Sequence, residues 1–455
     1  MNDTKALADF CAGISIRDLP PEVVHKTKLC ILDCIANIYG SRELGAVKKV
    51  AQYIRSLGGA PQASVLGWDF KTTVHNAAFI NGTSAEAIEA QDGLRFGGNH
   101  PGVAVIPAAL AIAEHRGLGG REVIEAVVAG YEAANRPAAA MHPRHTLSGF
   151  LPTGTCGTFG AAAAVSRLYG FDNEGMLNAL GNAGYLVPIS MAEQLMGGFT
   201  IKIVQGGQAA SAGMTAADLA SIGITGAPYV FEGSALNGGF TQITTDAEPA
   251  IEKLTEGLGE HFTIMDIYFK PYTSCRHTHG AIQATLEIVK EHKCAPEEIE
   301  KVEVHTYGIA VIAVGKGVKE KDTFVSAQFS IPYCVAASIM DGEFGPRQMT
   351  EARIEDPTIV ALSKKVAVLM DDELNKVYPD ITSSRVEIVL KDGKSLVTQI
   401  DIPKGDPRDP MNEKEIADKV RYFAGEEERE RVDTVIDTIL DMDRLDTIEK
   451  LMRLI

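Results

Sequence analysis

The sequence lacks the features that would place it in several large classes of protein. Its seven cysteines are scattered and odd in number, and they form no CxxC pair. This usage is typical of a reducing compartment and argues against a disulfide framework. The opening MNDTKALADF has no basic segment followed by an apolar core, and no run of about eighteen residues is apolar throughout. We therefore expect a cytoplasmic protein with no signal peptide and no membrane partner.

Positive charge is also scarce. Lysine and arginine number 43 against 60 aspartates and glutamates, which gives a formal net charge of −17. Nucleic-acid binding needs an excess or a cluster of positive charge, so we expect no nucleic-acid partner. An anionic ligand would need lysines and arginines that are gathered locally against the overall field.

The chain is long enough, at 455 residues, for two or three domains. Its first part predicts helices. In PPEVVHKTKLCILDCIANIYG (20–40), a proline opens the segment, apolar residues recur at helical spacing and a glycine ends it. Further helices are predicted at 44–57, 73–90, 103–116 and 121–138, and two alanine- and glycine-rich helices at 157–170 and 206–223.

The character of the sequence changes near Phe269. IEKVEVHTYG (299–308) alternates and is rich in β-branched residues, which predicts a strand. SSRVEIVLKDGKSLVTQIDIP (383–403) predicts a hairpin with Asp-Gly at its turn. Helices are predicted at 278–292, 326–340 and 358–370.

The last segment returns to a helical pattern, with Asn412 and Glu415 spaced as a capping box. The simplest arrangement joins this tail to the N-terminal helices. We therefore expect a mostly α fold, in which a large helical domain comprises residues 1–268 and 404–455. A smaller α+β domain, residues 269–403, is inserted into it.

The stretch FKPYTSCRHTHG admits three functional interpretations. Cys275, His277 and His279 alternate as metal ligands on a strand would, but no partner motif lies elsewhere in the sequence. Cys275 beside Arg276 is a candidate nucleophile. In the third interpretation, Lys270 and Arg276 bind carboxylates while His279 transfers protons. A plain domain junction would also explain this stretch.

Two earlier segments add candidates. Glu89, Asp92 and His100 surround a glycine-rich loop that precedes a predicted helix near His100. The free N–H groups at such a helix start favour anions, although both acids could simply be solvated there. Lys202 lies among apolar residues in GGFTIKIVQGGQAASAG, so it either extends to solvent or points into a cavity.

Together these segments resemble the MmgE/PrpD family. Five pieces match in family order: NGTSAEAIEAQDG…NHPGVAVIPAALAIAE, GFLPTGTCGTFGAAAAVSRLYG, IKIVQGGQAASAGMTAADLA, FKPYTSCRHTHGAIQA and SAQFSIPYCVAASIMDGEF. The resemblance implies a helical domain built from both chain ends, with an inserted α+β lid, in a protein that is usually a homodimer. It also implies an active site between the domains that uses no metal and no organic cofactor.

The resemblance further implies roles for eight side chains. The catalytic candidates are His100, His279, Asp92 and Glu89, and the substrate-binding candidates are Lys202, Lys270, Arg276 and Tyr333. Lysines that hold a carboxylate stabilise the negative charge that develops next to it. Imidazole titrates near neutral pH, which suits the two histidines to general base and acid.

This chain lacks three histidines of the family pattern, and the acidic pair of the family is reduced to Gln91-Asp92. Glu86 stands where many relatives have a histidine, Leu151 precedes PTGTCGTFG where a histidine is frequent, and Gln205 replaces the histidine of KxxHxG. The expected function is a cofactor-independent lyase that acts on a small di- or tricarboxylate, similar to 2-methylcitrate dehydratase. The alternatives are an epimerase of the iminodisuccinate type, a decarboxylase of the cis-aconitate type, and a non-catalytic carboxylate-binding protein.

Overall fold

The computed structural model describes residues 2–319 and 322–455, and most of them lie in helices. The predicted mostly α fold is confirmed. The N-terminal part contains α1 (Asp3–Gly13), α2 (Pro21–Ser41), α3 (Gly45–Leu57), α4 (Val74–Ala87), α5 (Gly102–Arg116), α6 (Gly120–Met141), α7 (Arg144–Leu147), α8 (Pro152–Tyr169), α9 (Asn173–Leu186), α10 (Ala192–Met196), α11 (Gln205–Ser221) and α12 (Phe240–Ile243). Two short antiparallel pairs accompany these helices: β1 (Ala63–Ser64) with β2 (Lys71–Thr72), and β3 (Gly93–Leu94) with β4 (Ile267–Tyr268).

The remaining chain holds the larger sheet and the helical tail. Its elements are α13 (His279–His292), β5 (Ile299–Thr306), α14 (Gly308–Val314), α15 (Phe324–Gln328), α16 (Ile331–Asp341), α17 (Glu351–Ile354), α18 (Pro357–Ser363), β6 (Val366–Met370), α19 (Asp372–Lys376), β7 (Ser384–Leu390), β8 (Ser395–Ile400), α20 (Glu413–Ala424), α21 (Arg429–Leu440) and α22 (Glu449–Leu454). No helix among the described residues is long and apolar enough to cross a bilayer.

Close contact between α4 and α11 builds one wall of the site. An added side chain at Gly207 of α11 would lie 2.0 Å from the carbonyl oxygen of Phe79, and Gly82 of α4 faces the same point. Because these glycines let the backbones meet, the C-terminal end of α4 lies beside the first turn of α11. There Gln205 donates a hydrogen bond to Glu86.

The strand order in the larger sheet is β6-β5-β7-β8. β5 pairs with β7 in an antiparallel register that sets Val304 opposite Val386, and β7 pairs with β8. The strand predicted within 299–308 and the hairpin predicted within 383–403 are both confirmed. Gly393 at the turn has a φ of 87°, a conformation that glycine adopts at little cost.

The helix predicted over 358–370 is wrong in its second half. α18 ends at Ser363, and Val366–Met370 forms β6, which pairs in parallel with β5. Five apolar residues are too few to distinguish a strand from a buried helix by periodicity. The open edge of β5 supplies the backbone hydrogen bonds that decide the conformation.

The tail packs against the N-terminal helices, with Phe423 of α20 lying against Gly40 of α2. The predicted capping box at the start of α20 is present. The backbone N–H of Phe269 donates to the carbonyl of Gly405 over 3.1 Å. The chain therefore enters and leaves the β-containing part at adjacent points. The division into residues 1–268 with 404–455, and 269–403, stays a prediction.

Candidate active site

Two buried lysines meet one glutamate at the centre of the candidate site. Lys202 lies in a short 3-10 segment before α11, and Lys270 follows β4. Glu89 accepts hydrogen bonds from both: one from the Lys202 ammonium and one from Lys270 over 2.7 Å. Glu89 has a φ of 57°, so the chain turns sharply after α4 and aims this side chain inward.

A second glutamate completes the cluster. One carboxylate oxygen of Glu86 lies 2.6 Å from the Lys202 ammonium and accepts a hydrogen bond from Gln205 over 2.7 Å. Burial raises the pKa of Glu86, and Lys202 offsets only part of this effect. Burial would also raise the pKa of Glu89, but Lys202 and Lys270 together hold it well below its usual range. Burial opposes the charge on Lys202, yet the two glutamates raise the pKa of this lysine.

His100 lies at the approach to α5, within the electrostatic influence of this cluster. Its Nδ1 lies 2.6 Å from the carbonyl oxygen of Asp92. Since a carbonyl oxygen only accepts, Nδ1 carries the proton and Nε2 has a free lone pair. Burial and the positive charge of Lys270 lower the pKa of His100 to about 3, so the ring is neutral. A Cβ atom at Gly93 would lie 2.4 Å from the Tyr268 hydroxyl oxygen and 2.9 Å from His100 Nδ1, which explains the glycine at this position.

The carboxylate of Asp92 is held by two hydrogen bonds. It accepts them from the Tyr131 hydroxyl over 2.5 Å and from the backbone N–H of Gly102, at the start of α5, over 3.2 Å. Burial, reinforced by the nearby charge of Asp33, raises the pKa of Asp92 to about 7. Asp92 therefore changes protonation near neutral pH.

The C-terminal tail supports the same loop. Lys419 of α20 is buried and donates to Asp33 and to the carbonyl of Ala90, each over 2.6 Å. Ala90 lies between Glu89 of the lysine cluster and Asp92. A residue from the end of the chain thus fixes the acidic loop near its start.

Arg276 and His279 are hydrogen-bonded to partners other than the lysine cluster. Arg276 donates to the carbonyls of Pro403 and Lys404 over 2.7 and 2.8 Å, and one of its nitrogens lies 3.4 Å from His279 Nδ1. His279 Nε2 lies 3.1 Å from the carbonyl oxygen of Ser274. Burial and the charge of Arg276 hold the pKa of His279 well below its usual range. Arg276 thus connects the chain segments near 276 and 404, and His279 lies against Arg276.

The other two interpretations of FKPYTSCRHTHG find little support in the geometry. Burial raises the pKa of Cys275 to about 11, which keeps the thiol protonated and weakly nucleophilic. His277 Nδ1 lies 2.7 Å from the Tyr307 hydroxyl. Within 2–319 and 322–455, Cys275, His277 and His279 do not converge as metal ligands; the group that does is Glu303, His305 and Glu387 on the sheet.

Tyr333 lies outside the lysine cluster. It is buried in α16, and its hydroxyl donates to the carbonyl of Gln348. The structure therefore brings together Lys202, Lys270, Glu89, Asp92 and His100. Among the described residues, Arg276, His279 and Tyr333 have other hydrogen-bond partners. Substrate contact by these three side chains stays a prediction.

Sequence reasoning missed two members of the site. It treated Glu86 and Gln205 only as positions where expected histidines are absent, whereas both contact the lysine cluster. An available signal was that Glu86 lies only three residues before Glu89, which sequence reasoning had already singled out. The contributions of Asp33 and Lys419 left no such signal, since they are 386 residues apart.

Comparison with known proteins agrees with this architecture. Residues 5–252 match the MmgE/PrpD N-terminal domain, and residues 272–442 match the MmgE/PrpD C-terminal domain. The chain is similar to the cis-aconitate decarboxylase of Aspergillus terreus, with 26% identity over 472 residues, covering 99% of this chain and 95% of that protein. It is 25% identical to the cis-aconitate decarboxylase of Mus musculus over 476 residues, covering 99% and 93% of the two chains. The Homo sapiens cis-aconitate decarboxylase is 24% identical over 440 residues, covering 92% and 87%.

Proposed function

The chain belongs to the MmgE/PrpD family, and from that premise we propose that it is a cofactor-independent lyase acting on a small di- or tricarboxylate. It is an enzyme of the general lyase type, like the decarboxylases that it resembles. The reaction that we propose begins with removal of a proton from a carbon next to a carboxylate. Dehydration of a 2-hydroxy polycarboxylate, as in 2-methylcitrate dehydration, is the first form of this reaction to consider.

One observation carries the proposal: a neutral imidazole with a free nitrogen lies in the electric field of two buried lysines. His100 Nδ1 is bonded to the Asp92 carbonyl, which leaves Nε2 able to accept a proton. Lys270 and Lys202 both lower the pKa of His100, so the ring lies within the electric field of both ammonium groups. A base beside fixed cations is what abstraction of a proton next to a carboxylate requires.

The lysines would hold the substrate carboxylate while His100 removes the proton. Taking the proton from the neighbouring carbon sends negative charge into that carboxylate, where Lys202 and Lys270 stabilise it. In dehydration, the electron pair of the broken C–H bond forms the new double bond as the hydroxyl group leaves. The proton accepted by His100 then joins the hydroxyl, and water is released.

The acids would act by positioning the reacting groups. Asp92 is bonded to Tyr131 and to the start of α5, so its backbone carbonyl orients His100. Glu89 sets the separation of the two lysine ammonium groups, because it binds both. Direct proton transfer by either carboxylate is a secondary form of the same proposal.

Two alternative reactions use the same groups. An epimerase needs a second proton-transferring group. His277 and His279 are the candidates, since Lys270 lowers the pKa of both rings. Decarboxylation is favoured by the activity for which the relatives are named, and it would require His100 to deliver a proton to the carbon that loses CO₂. A non-catalytic carboxylate-binding protein would not require the free nitrogen of His100. The homodimer and the cytoplasmic location stay predictions.

Product identification by proton NMR tests this proposal. The purified protein is mixed separately with cis-aconitate, citrate, 2-methylcitrate, malate and an aminodicarboxylate. Loss of water or of CO₂ from any of them supports the lyase and names its reaction. Inversion at a carbon without net elimination supports the epimerase. Binding of an acid with no change in any spectrum would contradict both and favour the non-catalytic alternative.

A further inference from the structure

Glu86 is a member of the lysine cluster to which the proposed reaction gives no part. It is fully buried at the C-terminal end of α4. Its Oε1 contacts Lys202 and accepts the hydrogen bond from Gln205. Its Oε2 is buried and has no hydrogen-bond partner among residues 2–319 and 322–455. Buried polar atoms in proteins are nearly always paired, so this oxygen is suited to a ligand.

The charges of the cluster limit what it can bind. Lys202 and Lys270 supply two positive charges, and Glu86 and Glu89 supply two negative charges when both are ionised. The cluster is then neutral. An added substrate carboxylate would leave an uncompensated negative charge in a buried place, which is strongly unfavourable. A proton must therefore enter the cluster together with the carboxylate.

Glu86 is better placed than Glu89 to receive that proton. Glu89 is bonded to both lysines, whereas Glu86 contacts only Lys202. The groups around Glu86 are Lys202 from the 3-10 segment, Gln205 from α11 and Glu89 from the end of its own helix, with Lys270 and His100 beyond Glu89. The Gln205 amide donates to Oε1, so a proton is best accommodated on Oε2. Burial also raises the pKa of Glu86, which favours the protonated form.

We propose that Glu86 is a substrate-binding residue: it takes up a proton from water when a substrate carboxylate binds to Lys202, and its protonated Oε2 donates a hydrogen bond to that carboxylate. The inference rests on the proposed function, because it takes the lysines to be carboxylate-binding groups. With Glu86 neutral, the cluster has one net positive charge. The substrate class is therefore a small carboxylic acid that places a single carboxylate here and its other polar groups outside the cluster.

Calorimetry measures the proton directly. Citrate and cis-aconitate are titrated into the wild-type protein at about pH 7.5 in two buffers that differ in enthalpy of ionisation, which gives the number of protons taken up. The same titrations are made with Glu86→Gln. Glu114→Gln is the matched control, because the Glu114 side chain is also buried and paired with a lysine, Lys71, but lies at the far end of α5.

The wild type and Glu114→Gln should take up close to one proton per site, and their affinity should fall by up to about tenfold per pH unit as the pH rises. Glu86→Gln should bind with no such uptake and with a flat pH dependence. Equal uptake by Glu86→Gln and wild type, or wild-type binding without uptake, would overturn this inference alone. Failure of the wild type to bind any acid of the panel would overturn the proposed function as well.

Infrared spectroscopy of the wild type tests the protonation of Glu86 even if Glu86→Gln does not fold. The difference spectrum of the wild type with and without ¹³C-labelled citrate should gain the carbonyl stretch of a protonated carboxyl group, because the label moves the bands of citrate itself elsewhere. Binding without that band would overturn the inference.

Discussion

At the scale of single residues, the charge on Lys270 is the simplest part of the site to test. Lys270→Met keeps the length of the side chain and removes the ammonium group that neutralises Glu89. We expect kcat/KM to fall about 100-fold or more, because a fixed cation near the developing charge is lost. Lys301→Met, at an exposed lysine of the sheet, is the control. Steady-state kinetics that match the wild type for Lys270→Met would contradict the assignment.

The protonation of Asp92 predicts a pH dependence of stability. Its pKa is raised from 3.8 to about 7, so between these values the folded protein holds a proton that the unfolded chain has released. The stability that this proton contributes is complete below pH 3.8 and is lost as the pH rises through 7. Relative to Asp92→Asn, the wild type should lose on the order of 4 kcal/mol of unfolding free energy across this window.

Urea unfolding of both proteins at several pH values measures this difference. Asp69→Asn, at an exposed aspartate, is the control, and its unfolding free energy should change with pH as that of the wild type does. A constant difference between wild type and Asp92→Asn from about pH 4 to pH 8 would show that Asp92 is ionised throughout and that its pKa is not raised.

The limits of prediction from sequence are clearest at this scale. Lys270, Arg276 and His279 are neighbours in sequence, yet of the three only Lys270 is hydrogen-bonded to Glu89. Arg276 instead donates hydrogen bonds to the carbonyls of Pro403 and Lys404, which are more than a hundred residues away in sequence. Nothing in the local pattern indicates such partners.

At the scale of elements, the crossing of α4 and α11 predicts the effect of a single methyl group. Gly207→Ala would place a carbon 2.0 Å from the Phe79 carbonyl oxygen and 2.6 Å from Thr83 Oγ1. Both are part of α4, so the helices must separate, at a cost of about 1–3 kcal/mol. Activity should also fall, because Glu86 and Lys202 lie at the displaced ends.

Thermal or urea unfolding together with a kinetic assay checks this prediction. Gly13→Ala is the matched control, since no atom lies within 4 Å of the added carbon. Unchanged stability in Gly207→Ala would mean that the crossing is looser than the structure indicates.

Helices and strands were easier to predict from the sequence than the contacts between side chains. Helices with complete periodicity and marked ends, such as α2 and α20, could be located from their sequence, and so could the hairpin with its Asp-Gly turn. β6 could not, because its five apolar residues become a strand only through pairing with β5. Tertiary context decides such short runs.

At the scale of the whole molecule, one buried ion pair connects the two ends of the chain. Lys419→Met would leave Asp33 buried and unpaired, which should destabilise the protein by about 3–5 kcal/mol. The double variant Lys419→Met with Asp33→Asn should recover much of this loss, because no uncompensated charge remains. Urea unfolding of the two single variants and the double variant forms the cycle. If the losses of unfolding free energy in the two single variants add up to the loss in the double variant, the pair does not couple the two ends.

The central claim is that His100 transfers a proton at a carbon next to a carboxylate held by Lys202 and Lys270. The most direct measurement is deuterium incorporation by NMR in D₂O, with cis-aconitate and citrate as first substrates. We expect deuterium at that carbon in substrate or product with the wild type and with His115→Asn, an exposed histidine of α5 that serves as the control. His100→Asn should bind the same acid and incorporate almost none. Equal incorporation by His100→Asn and the wild type would contradict the claim.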